Sequence, residues 1–255
     1  MNKKIVMTGA LLLGCSASAI ASEFSFDHPG LGVGIGITPV GKFAYEQTLA
    51  NVNHWQSQSA GQKQKGTTVT TDMLLRTGIA KDWEAQIGWQ GFGWSKVKAH
   101  GQSDTEHGYG DVLLAVKKAI DLDDEDLSMT LIGQVTFANG DDAFSVGDEL
   151  YSLGSVVGYN FSDDISTYMS MYYEVQDGTW SVTAVPTLEY KFTEQLSGFS
   201  ELIYNKTEGQ HVNYSLDSGL MYAVSDRLQL DATMGTQLSG RDKSYQTSFG
   251  FSVLF

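Results

Sequence analysis

From residue 245 to the end, the chain alternates. Tyr245, Thr247, Phe249, Phe251, Val253 and Phe255 fall on one side of the repeat, with Thr247 the mildest of them. Gln246, Ser248, Gly250, Ser252 and Leu254 fall on the other, small or polar except at the last position. A period of two marks a strand with one greasy and one wet face. The run is also as long as a tilted strand needs to be to cross a bilayer, roughly 9–11 residues. A soluble sandwich can bury one such strand, so the rest of the chain decides.

From residue 41 onward the alternation recurs. Residues 42–52 set Phe43, Tyr45 and Leu49 against Ala44, Glu46 and Thr48. Residues 67–79 and 83–94 form a pair joined by the tight Ala80-Lys81-Asp82; Leu75, Ile79, Trp83 and Ile87 share the outer face, Arg76, Glu84, Gln86 and Gln90 the inner. Further strands are expected over 108–119, 127–137, 149–161, 165–176, 179–192, 196–205, 212–224 and 228–238, with polar loops at 53–66 and 95–107. Asp177-Gly178 is a hairpin dipeptide. The strand over 196–205 is the least clear, because both Phe199 and Leu202 ask for the outer face. The count predicts a transmembrane antiparallel up-and-down β-barrel of twelve strands closed by the last one. Short turns alternate with longer connections, and an even strand count places both termini on the short-turn, periplasmic side. Trp83, Tyr159, Trp180, Tyr190 and Tyr222 near strand ends suit an aromatic girdle. A soluble barrel would turn its apolar face inward; here each strand keeps one face nearly free of charge.

The first residues change the picture of the compartment. Lys3 and Lys4 precede an apolar run from Ile5 to Leu13, and Ala19-Ile20-Ala21 offers small residues for cleavage. Residues 1–21 therefore read as a secretory signal peptide, and the destination as the bacterial outer membrane. Leu12-Leu13-Gly14-Cys15 loosely resembles a lipobox, a competing reading in which Cys15 would be retained and acylated. Cleavage after Ala21 removes Cys15, the one cysteine, and with it any disulfide chemistry. The full chain carries a formal charge of −14. Such acidity argues against a nucleic-acid partner and against a polybasic lipid patch. Residues 22–40, where Gly30, Gly32, Gly34 and Gly36 alternate with apolar residues, lack the spacing of a phosphate loop. They are expected either as a periplasmic lead-in or as a segment lying in the barrel mouth, ahead of a barrel over 41–255.

The inner faces collect the charges: Glu46, Arg76, Glu84, Asp111, Lys117, Glu174, Glu189, Lys191, Asp217 and Asp231. Arg76 and Glu84 flank one tight turn and should be near-diagonal neighbours within reach of an ion pair. These groups either neutralise one another in a narrow lumen or form a cation-leaning or polar-substrate constriction, as carboxylate rings favour cations. Twelve strands fall between filled eight-stranded barrels and open porins of sixteen or more, so a narrow path is expected. No catalytic residue, metal or cofactor is assigned. A hydrolase would need a His and a Ser oriented by a third polar group, and His211 near Ser215 carries no motif that singles it out. The acidic run Asp121–Asp126 lacks calcium-loop spacing and reads as a solvated turn. The expected partners are outer-membrane lipids, the barrel-assembly machinery acting on the strand that ends at Phe255, and a small solute.

Several stretches resemble one family. Ile37-Thr-Pro-Val-Gly-Lys-Phe-Ala-Tyr-Glu46 is similar to its opening strand. Leu75-Arg-Thr-Gly-Ile-Ala-Lys-Asp-Trp-Glu84 is similar to its Arg-containing hairpin, and Gly108-Tyr-Gly-Asp-Val-Leu-Leu-Ala-Val-Lys117 to its Gly-x-Gly-Asp strand. Leu228-Gln-Leu-Asp231 and the ending Gly250-Phe-Ser-Val-Leu-Phe255 fit as well. The family is that of outer-membrane transporters named for the meta-pathway (MetA-pathway) of phenol degradation. The resemblance implies a barrel passing small compounds, aromatic ones among them, with Glu46, Arg76, Glu84, Asp111, Lys117 and Asp231 matching its recurrent polar positions. The alternatives are a closed structural or surface-recognition barrel and, behind it, a membrane-embedded hydrolase.

Overall fold

A computed structural model describes residues 24–255, apart from 33, 60, 61, 125 and 241; the expected signal peptide of residues 1–21 lies outside these residues. Among them every regular element is a strand, and no helix is long and apolar enough to cross a membrane.

The chain opens with two long hairpins. β1 (Phe43–Ser59) pairs with β2 (Gln62–Ala80), and β3 (Trp83–Ala99) continues into β4 (Gln102–Tyr109). After a break at Gly110 and Asp111 come β5 (Val112–Ile120), β6 (Leu127–Phe137), β7 (Leu150–Ser162) and β8 (Ile165–Gln176). The last five are β9 (Thr179–Lys191), β10 (Leu196–Thr207), β11 (Asn213–Ser225), β12 (Leu228–Gln237) and β13 (Lys243–Leu254). Twelve of them close a ring in which each strand pairs with its antiparallel neighbours and β13 returns to β1, with Ala44 opposite Leu254 and Gln56 opposite Lys243. β4 stands outside the ring count: it pairs with β3 from Phe92 to Ala99, and β5 takes over from Trp89 to Trp83.

Two expected loops are therefore strands. The segments over 53–66 and 95–107 prolong β1–β2 and β3–β4 as hairpins, turning at His100-Gly101 in the second case. Their period-two signal is missing for a physical reason. The pairing runs on past the apolar belt, so both faces carry polar side chains and the backbone ladder alone holds the register.

The wall has the polarity of a membrane barrel. Leu153, Met234 and Phe249 are 63%, 67% and 59% exposed on its outside. Arg76, Glu46, Glu84 and Lys117 are each fully buried on its inside. β10 resolves its ambiguity by turning Leu202 outward and Phe199, 3% exposed, inward. Gly219, its cross-strand partner, makes the room: a Cβ there would stand 2.4 Å from the Phe199 ring.

The outward rows also set depths. On β11 and β12 the row of Ser218 and Met234 lies midway between Tyr214 and Tyr222, whereas Leu230 is level with Tyr222. Replacing Met234 by Arg is expected to cost about 2–4 kcal/mol of folding stability in lipid, and Leu230→Arg roughly 0–1 kcal/mol if the Tyr222 row marks the interface. Urea titrations of folding into liposomes measure both, and equal costs would overturn the assignment of depth.

Candidate functional site: a charged lumen filled by the N-terminal segment

Inward-pointing positions on adjacent strands are neighbours, so the period that made the outer face greasy also gathers the inner charges. Arg76 on β2 and Glu84 on β3 sit diagonally across the Arg76–Gln86 and Gly78–Glu84 rungs. They meet with Arg76 Nε donating to Glu84 Oε1 at 2.9 Å and Nη2 to Oε2 at 3.1 Å. From the other side, Arg76 Nη1 donates to Glu46 Oε1 on β1 at 2.7 Å. Two donors remain on the guanidinium, which carries five in a fixed fork. They reach backbone carbonyls of the segment that precedes β1: Ser25 O at 2.9 Å and Gly36 O at 3.0 Å.

That segment, residues 24–40, runs inside the ring. Asp27 ties it to the far wall, accepting from Lys117 Nζ of β5 at 2.8 Å and from Gln86 Nε2 at 2.8 Å. Lys117 spends its other hydrogen bonds on Gly34 O (2.7 Å) and Gly36 O (3.2 Å). Glu46 accepts from the Asp27 and His28 amides at 3.0 and 2.6 Å, and Glu84 from the Thr38 amide at 2.5 Å. Thr130 of β6 donates to Ile35 O at 2.7 Å. Across the lumen, Glu201 of β10 accepts from the Leu31 and Gly32 amides at 2.9 and 3.1 Å, and Gln229 of β12 donates to His28 O at 3.0 Å. The backbone polar groups of a strand-free segment thus find partners on seven wall strands, as buried amides and carbonyls must. The described residues of this segment lie in the barrel interior.

The alternating glycines follow from the closeness of that fit. A Cβ on Gly32 would lie 2.8 Å from Glu201 Oε1, and one on Gly34 2.5 Å from Phe26 O. Gly30 additionally holds φ at +108°, a conformation side chains resist.

The ten charged positions expected in the lumen divide into groups. Glu46, Arg76, Glu84 and Lys117 form one cluster with Asp27, which sequence reasoning left in the lead-in. Asp111 is apart from it, at the break between β4 and β5. Its carboxylate accepts from the amides of Asn139, Gly140 and Val146 at 2.9, 2.8 and 2.6 Å and from Ser145 Oγ at 3.2 Å. It folds the β6–β7 loop against the inner side of the β3–β4 hairpin, where the Phe144 ring covers Gly93. Glu174 accepts from Ser181 Oγ near the Asp177-Gly178 turn, and Lys191 is exposed at the opposite rim. Glu189 and Lys191 form no ion pair among the described residues. Asp217 lies opposite Glu201, and Asp231, 7% exposed, leaves Oδ2 without a hydrogen-bond partner among the described residues. Glu201 escaped notice because the face of β10 was ambiguous. His211 is exposed in the β10–β11 loop. Among the described residues no group of His, Cys, Asp and Glu is arranged to hold a metal ion, and Glu125 of the acidic turn lies outside them.

A closed twelve-stranded ring, apolar outside and charged within, is the architecture of an outer-membrane β-barrel. The sequence matches the family described as "Putative MetA-pathway of phenol degradation" over residues 26–255, and the chain belongs to that family. Among solved structures it is similar to an outer membrane channel from Pseudomonas putida F1, with a TM-score of 0.65 at 12% identity over 89% of this chain and 99% of that one. It is also similar to the translocator domain of the autotransporter NalP from Neisseria meningitidis, with a TM-score of 0.56 at 12% identity over 85% and 89% of the two chains. The transport unit of the autotransporter AIDA-I from Escherichia coli gives 0.53 at 12% identity over 84% and 90%. At such identities the likeness establishes the fold. No curated protein matches the sequence.

Proposed function

We propose that this chain, exported by the signal peptide of residues 1–21, is a narrow passive outer-membrane channel for small compounds, held nearly shut by its own N-terminal segment. One observation carries the reading: two cavities lie in line along the lumen and share only His28 and Pro29. The first, about 380 Å³, is lined by Asp72, Asp217 and Asn51 on the side of the long hairpins. The second, about 340 Å³, reaches the short turns at Ser225 and Asp226. A path across the barrel is thus interrupted by a few residues of one segment. Among the described residues neither cavity has a Lys or Arg in its lining, and unmatched carboxylates favour cations. The P. putida channel of the same fold supports passage, and the family's name points to aromatic compounds as the solutes. Among the described residues no constellation of nucleophile and base recommends an enzyme. The short-turn end would face the periplasm, and Phe255, whose amide donates to Phe43 O at 2.8 Å across the closing seam, would present the strand end to the assembly machinery.

Planar-bilayer recording of the refolded mature protein tests this. The expected trace shows small openings whose reversal potential under a salt gradient is cation-selective and shifts toward zero in Asp217→Asn. A silent bilayer, with folding verified by heat-dependent gel mobility, would instead favour a closed barrel whose projecting hairpins are the working surface.

A further inference from the structure

The cavity on the short-turn side has a chemistry of its own. Its 340 Å³ is at the small end of ligand pockets, roughly 300–1,000 Å³. Four aromatic rings from three elements line it: Phe24 and Phe26 of the N-terminal segment, Tyr168 of β8 and Phe199 of β10. Four carboxylates line it, Asp27 of the segment and Asp226 of the β11–β12 turn among them; Glu189 and Glu201 face it from the wall strands, and they differ in what they already hold. Glu201 is committed to the Leu31 and Gly32 amides and to Thr187 Oγ1. Glu189, half-buried on β9, has the neutral Tyr168 hydroxyl for a partner and no cation among the described residues.

A carboxylate drawn out of water is costly unless a cation meets it, and the faces of aromatic rings attract cations. The same aromatic cluster already serves one: the Arg76 guanidinium stands 5.4 Å from the Phe24 ring, and Phe24 packs edge-on to Phe26 at 4.9 Å. We propose that this cavity is a binding site for a small organic cation, a monoamine bearing one aromatic ring. Its ammonium is held by Glu189, and its ring lies among Phe26, Phe199 and Tyr168. An uncharged phenol fits the same volume but leaves Glu189 without a counter-charge, so the site discriminates by charge. The proposal names a ligand class for the channel and rests on that reading for its purpose. Binding and conduction are measured separately, so either can fail alone.

The test is isothermal titration of the refolded mature protein in detergent with benzylammonium and with phenol, each against a detergent-only blank. Benzylammonium is expected to saturate at one site per chain, with phenol at least about tenfold weaker. Glu189→Gln should weaken benzylammonium by roughly tenfold or more, the scale of one hydrogen bond to a charged group, and leave phenol unchanged. Phe26→Leu, a change that removes a ring of the lining and no charge, should weaken it several-fold and keeps the test alive should Glu189→Gln fail to fold. Phenol binding as tightly as benzylammonium would overturn the proposal. So would a folded Glu189→Gln protein with unaltered affinity, or no heat above the blank for a folded protein. Conductance without benzylammonium binding would leave a channel and remove this site; binding without conductance would do the reverse.

Discussion

Deleting residues 24–36 is expected to raise single-channel conductance several-fold over that of the full mature chain, while the pore stays cation-selective. The segment fills the interior between β1–β3 on one side and β10–β12 on the other, and it separates the two lumen cavities. With it gone, a twelve-stranded wall encloses a continuous, if narrow, water path. Selectivity survives because the wall charges left behind at the cluster cancel: Arg76 and Lys117 face Glu46 and Glu84. The unmatched carboxylates of Asp72, Glu189, Glu201, Asp217 and Asp231 then set the sign. Planar-bilayer recordings of the two proteins decide it. Equal conductance would place the solute path elsewhere, and a switch to anion selectivity would show that the lumen acids are protonated or hidden.

Arg76→Met is expected to destabilise the barrel by about 3–5 kcal/mol, the cost typical of removing one partner from a buried ionic group. The wild-type guanidinium satisfies all five of its donors on Glu46, Glu84, Ser25 and Gly36. Met fills the volume but leaves three buried carboxylates, Asp27, Glu46 and Glu84, to the single ammonium of Lys117. Arg76→Lys should recover only part of the loss, because an ammonium cannot span Glu46, Glu84 and two carbonyls with a planar fork. Urea unfolding of liposome-inserted protein gives the difference directly. A loss under about 1 kcal/mol would mean that water reaches the cluster and screens it.

Much of this molecule was legible in its sequence, and the limits of that legibility are physical. The lipid-facing rows announced themselves because a bilayer demands apolar residues at every second position, so Leu75, Ile79 and Ile87 could be set against Arg76, Glu84 and Gln86. The Arg76–Glu84 ion pair followed from the tight turn between them. The prolonged hairpins of β1–β2 and β3–β4 were invisible because outside the membrane nothing asks one face to be greasy. Phe199 misled because an aromatic ring in the lumen looks, in sequence, like one in lipid; only the small Gly219 opposite betrays it. The course of residues 24–40 was beyond periodicity altogether. Asp27 pairs with Lys117 across 90 positions and Glu201 holds Leu31 across 170, and contacts so distant leave no local pattern. The glycines were the one trace, marking close approach without naming what approached.

The N-terminal segment is also bound to the wall by a short tether. From Gly36 O, which both Arg76 and Lys117 grip, to Phe43 at the start of β1 is a handful of residues, so the segment behaves as a ligand covalently attached beside its own receptor. Short flexible attachments hold such a ligand at an effective concentration on the order of millimolar. Once displaced it therefore returns without diffusing from bulk. A solute that opens the path by competing for the same carboxylates must contend with that standing concentration. On the proposed channel function, opening would then be brief and set by the abundance of the solute outside, a valve responsive to plenty and quiet at scarcity.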